Sequence, residues 1–98
     1  MKKFFVIDMT DRFQFVAKTI ASMEAHATDL VEPFYRENDF CEFVSHDIEY
    51  HENHGFLWVE VAVNRVCAVV ADDINQALKI VKPLVKKTTR ITGIAEEE

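Results

Sequence analysis

Few residues in this chain are of the types that build phosphate loops or disulfide frameworks. Only two of the 98 residues are glycine, Gly55 and Gly93, so a glycine-rich loop that cradles a phosphate cannot be formed. The two cysteines, Cys41 and Cys67, make no Cys-x-x-Cys motif, and both lie in apolar, strand-like surroundings. We therefore expect two buried thiols in a reducing compartment rather than a disulfide.

Long hydrophobic runs are also missing. No stretch approaches the roughly 18 consecutive apolar residues of a membrane-spanning helix. Lys2 and Lys3 precede only a short apolar stretch, residues 4–7, which is too short for a signal peptide. The sequence therefore predicts a cytoplasmic protein that makes no contact with a membrane.

Basic residues are in the minority. The formal net charge is −6, because 17 acidic residues outnumber 11 Lys and Arg. Residues 24–60 carry ten of those acids against Arg36 alone, for a local charge of −9. Phosphate neutralisation needs clustered cations, so direct binding of nucleic acid is not expected. One basic cluster is interpreted as the solvated back of the last helix. It consists of Lys79, Lys82, Lys86, Lys87 and Arg90.

Apolar residues, in contrast, are abundant. Hydrophobic side chains make up 49% of the chain and include eight phenylalanines, which excludes wholesale disorder. A chain of this length forms one core, so we predict a single domain over residues 1–95 and a frayed acidic tail over 96–98.

The organising element is the run over residues 56–87, where the apolar period changes from that of a strand to that of a helix. Residues 56–63 and 66–71 are rich in Val, and the pair Asn64 and Arg65 between them allows a bulge or a break. Asp72 or Asp73 is the expected N-cap of a helix over 73–87, in which Pro83 predicts a kink or an end near Lys82. The apolar stripe of this helix is formed by Ile74, Ala77, Leu78, Val81, Leu84 and Val85.

The remaining segments supply partners for this strand and helix. Residues 3–7 are predicted as a strand, 11–27 as a helix capped by Thr10 or Asp11, 40–51 as a strand and 88–95 as a closing strand. The resulting βαββαβ order indicates an α+β protein of the ferredoxin-like class, with an antiparallel sheet and both helices on one face. A five-stranded variant, with a break at 64–65, is the alternative.

A turn over residues 52–55 sets the predicted hairpin register. It places His51 opposite Phe56 and Asp47 opposite Glu60, and the apolar residues of both strands then share the inner face. The outer face, which no helix covers, is the predicted partner-binding surface because it combines aromatic and acidic side chains. Its candidate residues are Phe43, Asp47, Glu49, Phe56, Trp58 and Glu60.

These patterns predict a non-enzymatic protein-binding module that needs no cofactor or metal. It would act as an inhibitor or regulator by presenting carboxylates to a basic, nucleic-acid-handling enzyme. The alternative is a small-molecule sensor or small enzyme that uses a pocket around His46, which the predicted parity points inward. His46 is otherwise expected to be a hydrogen-bonded core histidine. A homodimer centred on the aromatic residues of the open face, with the carboxylates at its edge, is the predicted assembly.

Overall fold

The computed structural model describes residues 1–36 and 40–97 and shows a four-stranded antiparallel sheet with two helices. The α+β class predicted from the sequence is therefore confirmed. Neighbouring strands lie in the order β2-β3-β1-β4, and the molecule is elongated, with extents of 57 × 21 × 21 Å. Each helix continues into a short 3-10 turn, at Glu32–Tyr35 and Lys82–Leu84. The elements are β1 (Lys3–Ala17), α1 (Ile20–Val31), β2 (Cys41–Asn53), β3 (Phe56–Ala71), α2 (Ile74–Val81) and β4 (Thr89–Glu97).

Strand β1 is much longer than the sequence predicts. The prediction of a helix over 11–27 is wrong for residues 11–17, which continue β1 and pair with β3 as far as Ala17 opposite Leu57. Phe13 and Phe15 alternate with polar neighbours, so this segment fits a period of 2 as well as 3.6, and pairing with the long β3 decides between them. The helix begins instead after Thr19, whose hydroxyl accepts a hydrogen bond from the Ser22 amide at 3.1 Å.

The hairpin between β2 and β3 turns on two residues. His54 and Gly55 both have positive φ, 55° and 80°, the combination required by a type I′ turn. Asn53 therefore pairs with Phe56, and the register differs by two residues from the one predicted with a turn over 52–55. A shift of two leaves every side chain on its predicted face, because side chains alternate with a period of 2.

A β-bulge at Val44 changes the face of the residues before it. The pairing of β2 with β3 shifts between Phe43 and Ser45, so Phe43 lies opposite Arg65. One extra residue in a strand moves the preceding side chains to the other face. The prediction that Phe43 lies on the outer face is therefore wrong: it packs against the helix-side core and makes an edge contact with Tyr35, with ring centroids 4.8 Å apart.

Strand β3 is continuous from Phe56 to Ala71, and the predicted alternative of a fifth strand is wrong for the described residues. It pairs with β1 along its length, from Leu57 opposite Ala17 to Ala71 opposite Lys3. The central strand thus keeps one uninterrupted alternation of faces.

Both helices pack on the same face of the sheet. Every odd-numbered residue of β3 from Leu57 to Ala71 is buried. Residues 57–63 form a core with the buried side chains of α1, and residues 67–71 form a second core with those of α2. The predicted N-cap of α2 is confirmed, since Asp73 accepts a hydrogen bond from the Gln76 amide at 2.8 Å, and α2 ends at Val81, just before Pro83.

A buried ion pair lies between the two cores. Arg65 of β3 donates from Nη2 to Asp11 Oδ2 at 2.9 Å, with side chains that are 7% and 0% exposed. Oδ1 of Asp11 accepts hydrogen bonds from the hydroxyls of Thr88 and Thr89 at the start of β4. The guanidinium also lies over the Phe34 ring, 5.0 Å from its centroid. Asp11, predicted as a helix cap, instead joins β1, β3 and β4.

Cys41 and Cys67 lie directly opposite each other on β2 and β3 and are joined by a disulfide, with their Cα atoms 4.0 Å apart. Their burial agrees with the prediction, but the prediction of two free thiols is wrong. Adjacent antiparallel strands bring such a pair within bonding distance when the pair is of the non-hydrogen-bonded type.

The carboxyl-terminal residues continue the sheet further than predicted. Glu96 and Glu97 belong to β4 and pair with Phe5 and Phe4, so the prediction of a frayed tail is wrong for both, and Glu98 lies outside the described residues. Within residues 1–36 and 40–97, neither helix has the length and apolarity needed to cross a bilayer.

Candidate functional site

The face of the sheet opposite to the helices, called here the open face, carries most of the predicted site residues. It is formed by the even-numbered residues of β1 and β3 and, between the bulge and the hairpin, by the odd-numbered residues of β2. The buried side chains of both helices pack on the other face. Five of the six predicted site residues share this surface, which we call the acidic–aromatic patch: Asp47, Glu49, Phe56, Trp58 and Glu60.

Two carboxylates face each other at the centre of this patch. Glu49 of β2 lies directly opposite Glu60 of β3, whereas the predicted register places Asp47 there. Like charges in this position destabilise a pair of strands. The negative charge of Glu60 is compensated within the chain, because Arg12 of β1 donates a hydrogen bond to its carboxylate at 2.9 Å and Gln14 donates another at 3.1 Å.

The other two carboxylates of the patch have no such relief. Among the described residues, no Lys, Arg or His nitrogen lies within 4.0 Å of a carboxylate oxygen of Asp47 or Glu49. Both side chains line a shallow depression of about 180 Å³, together with Arg12 and Glu60. Two carboxylates without a cationic partner therefore lie next to the ion pair of Arg12 with Glu60.

The aromatic end of the patch lies towards the hairpin. Trp58 is 45% exposed and Phe56 is 40% exposed, and Val16 of the neighbouring β1 is 48% exposed. The indole N–H of Trp58 donates to the Asn53 carbonyl at 3.3 Å, which fixes the orientation of the ring. A groove of about 590 Å³ opens here, lined in part by Val16, Trp58, Glu49 and Glu60.

A short polar ladder adjoins the carboxylates on their other side. Thr10 donates from its hydroxyl to Asn64 Oδ1 at 2.9 Å, and the Asn64 amide nitrogen donates to the Ser45 hydroxyl at 3.1 Å. The ladder joins β1, β3 and β2 across the open face. The patch thus lies on paired strands rather than on loops.

His46 does not occupy the environment that the sequence predicts. It points to the helix side, as expected from parity, but it is exposed rather than buried, because it lies on the edge strand beyond α1. Its ring is 6.0 Å from Phe43 and 6.3 Å from Tyr35. Among the described residues, His46 lines none of four surface pockets, including the groove and the depression described above.

The contribution of β1 to the site was not predicted from the sequence. Arg12, Gln14 and Val16 line the acidic–aromatic patch, but the helix predicted over 11–27 assigns them elsewhere. The alternation of Phe13 and Phe15 with these residues was the available signal. Residues 1–36 and 40–97 contain no group of three His, Cys, Asp or Glu side chains arranged to hold a metal ion.

Comparison with known proteins gives no family assignment. No protein-family model matches the chain, and the search of curated proteins found no match either.

Proposed function

We propose that this protein is a non-enzymatic binding module that docks its acidic–aromatic patch on the basic surface of a protein partner. A nucleic-acid-handling enzyme is a suitable partner, because such an enzyme carries clustered Lys and Arg for phosphate contacts. Carboxylates of the patch then take the place of phosphates, and the module acts as an inhibitor or regulator.

One observation carries the proposal. Asp47 and Glu49 have no cation within 4.0 Å among the described residues, yet Arg12 already pairs with the adjacent Glu60 at 2.9 Å. Arg12 therefore serves as an internal example of how a guanidinium fits this surface. A partner's Lys or Arg would relieve the repulsion between Glu49 and Glu60 in the same way.

The exposed aromatic side chains supply the apolar part of such an interface. Aromatic residues are enriched at the centres of interfaces, where they bury a large area with few rotatable bonds. Trp58 is well suited to this role, because its ring is half-exposed and its N–H is already bonded to Asn53. Binding would therefore bury the ring without leaving that polar group unpaired.

The arrangement of elements supports a ferredoxin-like βαββαβ fold for the scaffold. The chain order of strands and helices and the sheet order β2-β3-β1-β4 fit it, with both helices on one face. Since this fold hosts many functions, it gives the scaffold and not the activity.

The test is affinity capture from the native host with matched variants. Trp58→Ala combined with Glu49→Lys removes one aromatic anchor and reverses one unpaired charge. The control is Phe4→Ala combined with Glu97→Lys: Phe4 is 44% exposed against 45% for Trp58, and both control residues lie at the far end of the same sheet. We prefer Glu49 to Glu60 because Glu60 already has Arg12 as its partner.

The expected result is a basic partner retained by the wild type and the control variant and lost by the Trp58/Glu49 variant. Its retention should weaken with salt, because ion pairs at an exposed surface are screened. Identical partners for both variants would exclude the patch as the binding site.

Three further sequence predictions remain predictions. The homodimer is supported only by the exposure of Trp58, Phe56 and Val16, which would form its centre. The cytoplasmic compartment has the disulfide between Cys41 and Cys67 against it, because disulfides persist mainly in oxidising compartments. The alternative of a sensor or enzyme around His46 is not supported by the four surface pockets of the described residues, because His46 lines none of them.

A further inference from the structure

The edge strand β2 has an unpaired side with a distinctive chemistry. Among residues 1–36 and 40–97 it pairs with β3 alone, as the outermost strand of the sheet. Its residues from Val44 to Asn53 are all exposed. Such a strand presents a row of free backbone N–H and C=O groups to any chain that can add to the sheet.

The hairpin geometry identifies which backbone groups are free. The pair that closes a two-residue type I′ turn exchanges two backbone hydrogen bonds, so Asn53 and Phe56 form a hydrogen-bonded pair. Hydrogen-bonded and non-hydrogen-bonded residue pairs alternate along two antiparallel strands. In a non-hydrogen-bonded pair, the backbone N–H and C=O groups of the β2 residue point away from β3. Counting back from the turn, the residues with outward groups are Glu52, Tyr50, Ile48 and His46.

Independent contacts beyond the bulge agree with an alternating ladder. The Cα atoms of Cys41 and Cys67 are 4.0 Å apart, close to the spacing of a non-hydrogen-bonded pair. The neighbouring pair should then be hydrogen-bonded, and the Ala68 amide does donate to the Phe40 carbonyl at 2.8 Å.

The two faces of β2 differ in the side chains that an added strand would meet. On the helix side, Ile48 is 37% exposed and Tyr50 is 50% exposed, because α1 does not extend over the edge strand. On the open side stand Asp47 and Glu49, which no cation of the described residues approaches within 4.0 Å. The complementary strand therefore alternates apolar residues with Lys or Arg.

Charge also decides against a second copy of this chain as the occupant. Strand β2 contains four acidic residues and no Lys or Arg, so pairing β2 with β2 would bring eight carboxylates into one two-stranded ribbon. Like charges across a strand pair are unfavourable. The four acidic residues of β2 are Glu42, Asp47, Glu49 and Glu52.

We infer that β2 is a docking edge for an extended segment of the partner, in which apolar residues alternate with Lys or Arg. The segment adds to the sheet as a fifth strand through the outward backbone groups of His46, Ile48 and Tyr50. Main-chain hydrogen bonds supply affinity in this mode of recognition, and alternate side chains supply specificity. The inference rests on the proposed function for the basic character of the partner and adds the way in which it binds.

The probe is a synthetic peptide of about eight alternating Lys and Val residues, a usual strand length. Its control has the same composition with the lysines in one block, which keeps the charge and removes the alternation. Amide hydrogen exchange of the wild-type protein, followed by NMR, reports the contact. We expect exchange at His46, Ile48 and Tyr50 to slow by about tenfold or more, equivalent to about 1.4 kcal/mol. Asp47 and Glu49 should not change, because their amides already bond to β3.

A backbone variant tests the same inference through affinity. Ile48→Pro removes one outward N–H without removing a bond to β3, and proline is tolerated at such edge positions. It should weaken peptide binding about tenfold or more, whereas Ile48→Val should not. Uniform slowing of exchange along β2, equal binding of the block peptide, or undiminished binding by a folded Ile48→Pro variant would each overturn the inference. The wild-type exchange pattern decides the matter even if the proline variant fails to fold.

The two proposals fail in distinguishable ways. Suppose that the Trp58/Glu49 variant loses the natural partner while Ile48→Pro keeps it. The acidic–aromatic patch is then supported as the binding site, and addition of a strand to β2 is refuted. If Ile48→Pro loses the partner and the Trp58/Glu49 variant keeps it, the partner adds to the edge through its backbone. In that case the acidic–aromatic patch is not the site, and Glu49 does not select the cations of the added strand.

Discussion

Replacing the buried carboxylate of Asp11 should destabilise this protein more than any single change on its open face. Asp11 is fully buried and accepts hydrogen bonds from Arg65, Thr88 and Thr89. Asp11→Asn keeps the shape of the side chain but leaves the Arg65 guanidinium, which is 7% exposed, without its counter-charge. Breaking a buried ion pair in this way costs about 3–5 kcal/mol. A domain of this size has a total stability of about 5–15 kcal/mol, so the variant should remain folded only marginally.

The measurement is urea unfolding at neutral pH, read as a change in the free energy of unfolding. The matched control is Glu60→Gln, which breaks the exposed pair between Arg12 and Glu60, whose N–O distance is also 2.9 Å. Those side chains are 61% and 39% exposed, so the control should cost less than about 1 kcal/mol. The two ion pairs have the same N–O distance and differ in burial, so the difference between their costs measures the effect of burial rather than of the contact.

A double-mutant cycle completes the test. Arg65→Met is made alone and together with Asp11→Asn; the double variant buries neither charge, so it lacks the unpaired guanidinium that makes Asp11→Asn costly. The double variant should therefore be more stable than Asp11→Asn alone, with a coupling energy of about 2 kcal/mol or more. Additive losses, or a cost of Asp11→Asn no greater than that of Glu60→Gln, would refute the reasoning.

Three other predictions concern the covalent link, the turn and the assembly. Removing the disulfide by Cys41→Ala and Cys67→Ala should lower the free energy of unfolding by about 3.5 kcal/mol, the loop-closure value for a sequence separation of 26. Thiols that react in the denatured but unreduced wild type would show that the disulfide is not formed. Gly55→Ala should cost about 1–2 kcal/mol in urea unfolding because φ is +80° and nothing crowds the added Cβ, so an unchanged stability would contradict the type I′ turn. Light scattering should show a dimer that persists at high salt for the wild type and Phe4→Ala but not for Trp58→Ala, and a monomer at high protein concentration in both buffers excludes the predicted homodimer.

The parts of the fold that the sequence predicts correctly are those where one period dominates. Strand β3 alternates through Leu57, Val59, Val61 and Val63, and α2 follows from an apolar stripe with Asp73 in front of it. Five of the six predicted site residues share the open face as expected, because a register error of two residues does not change faces. These features depend on local pattern alone.

The wrong predictions concern segments whose structure is decided by tertiary contacts rather than by the local sequence pattern. Residues 11–17 fit either a helix or a strand, and the length of β3 makes them a strand. That error hid Arg12, the only cation paired with the patch among the described residues. The bulge at Val44 has no sequence signature here and reverses Phe43. The exposure of His46 depends on how far α1 extends over the edge strand, which no local period encodes.

The carboxylates on β2 can serve protection and recognition at the same time. An exposed edge strand risks pairing with copies of itself, and proteins commonly block this with charge. Lysine would block it equally well but would also repel a basic partner, whereas Asp47 and Glu49 repel a second, equally acidic β2 and attract a basic strand. The same carboxylates disfavour aggregation through the exposed apolar residues beside them, Ile48 and Tyr50, because a strand without cations would leave Asp47 and Glu49 unpaired. The sign of the charge on this edge, rather than its mere presence, is what favours a binding role over simple protection.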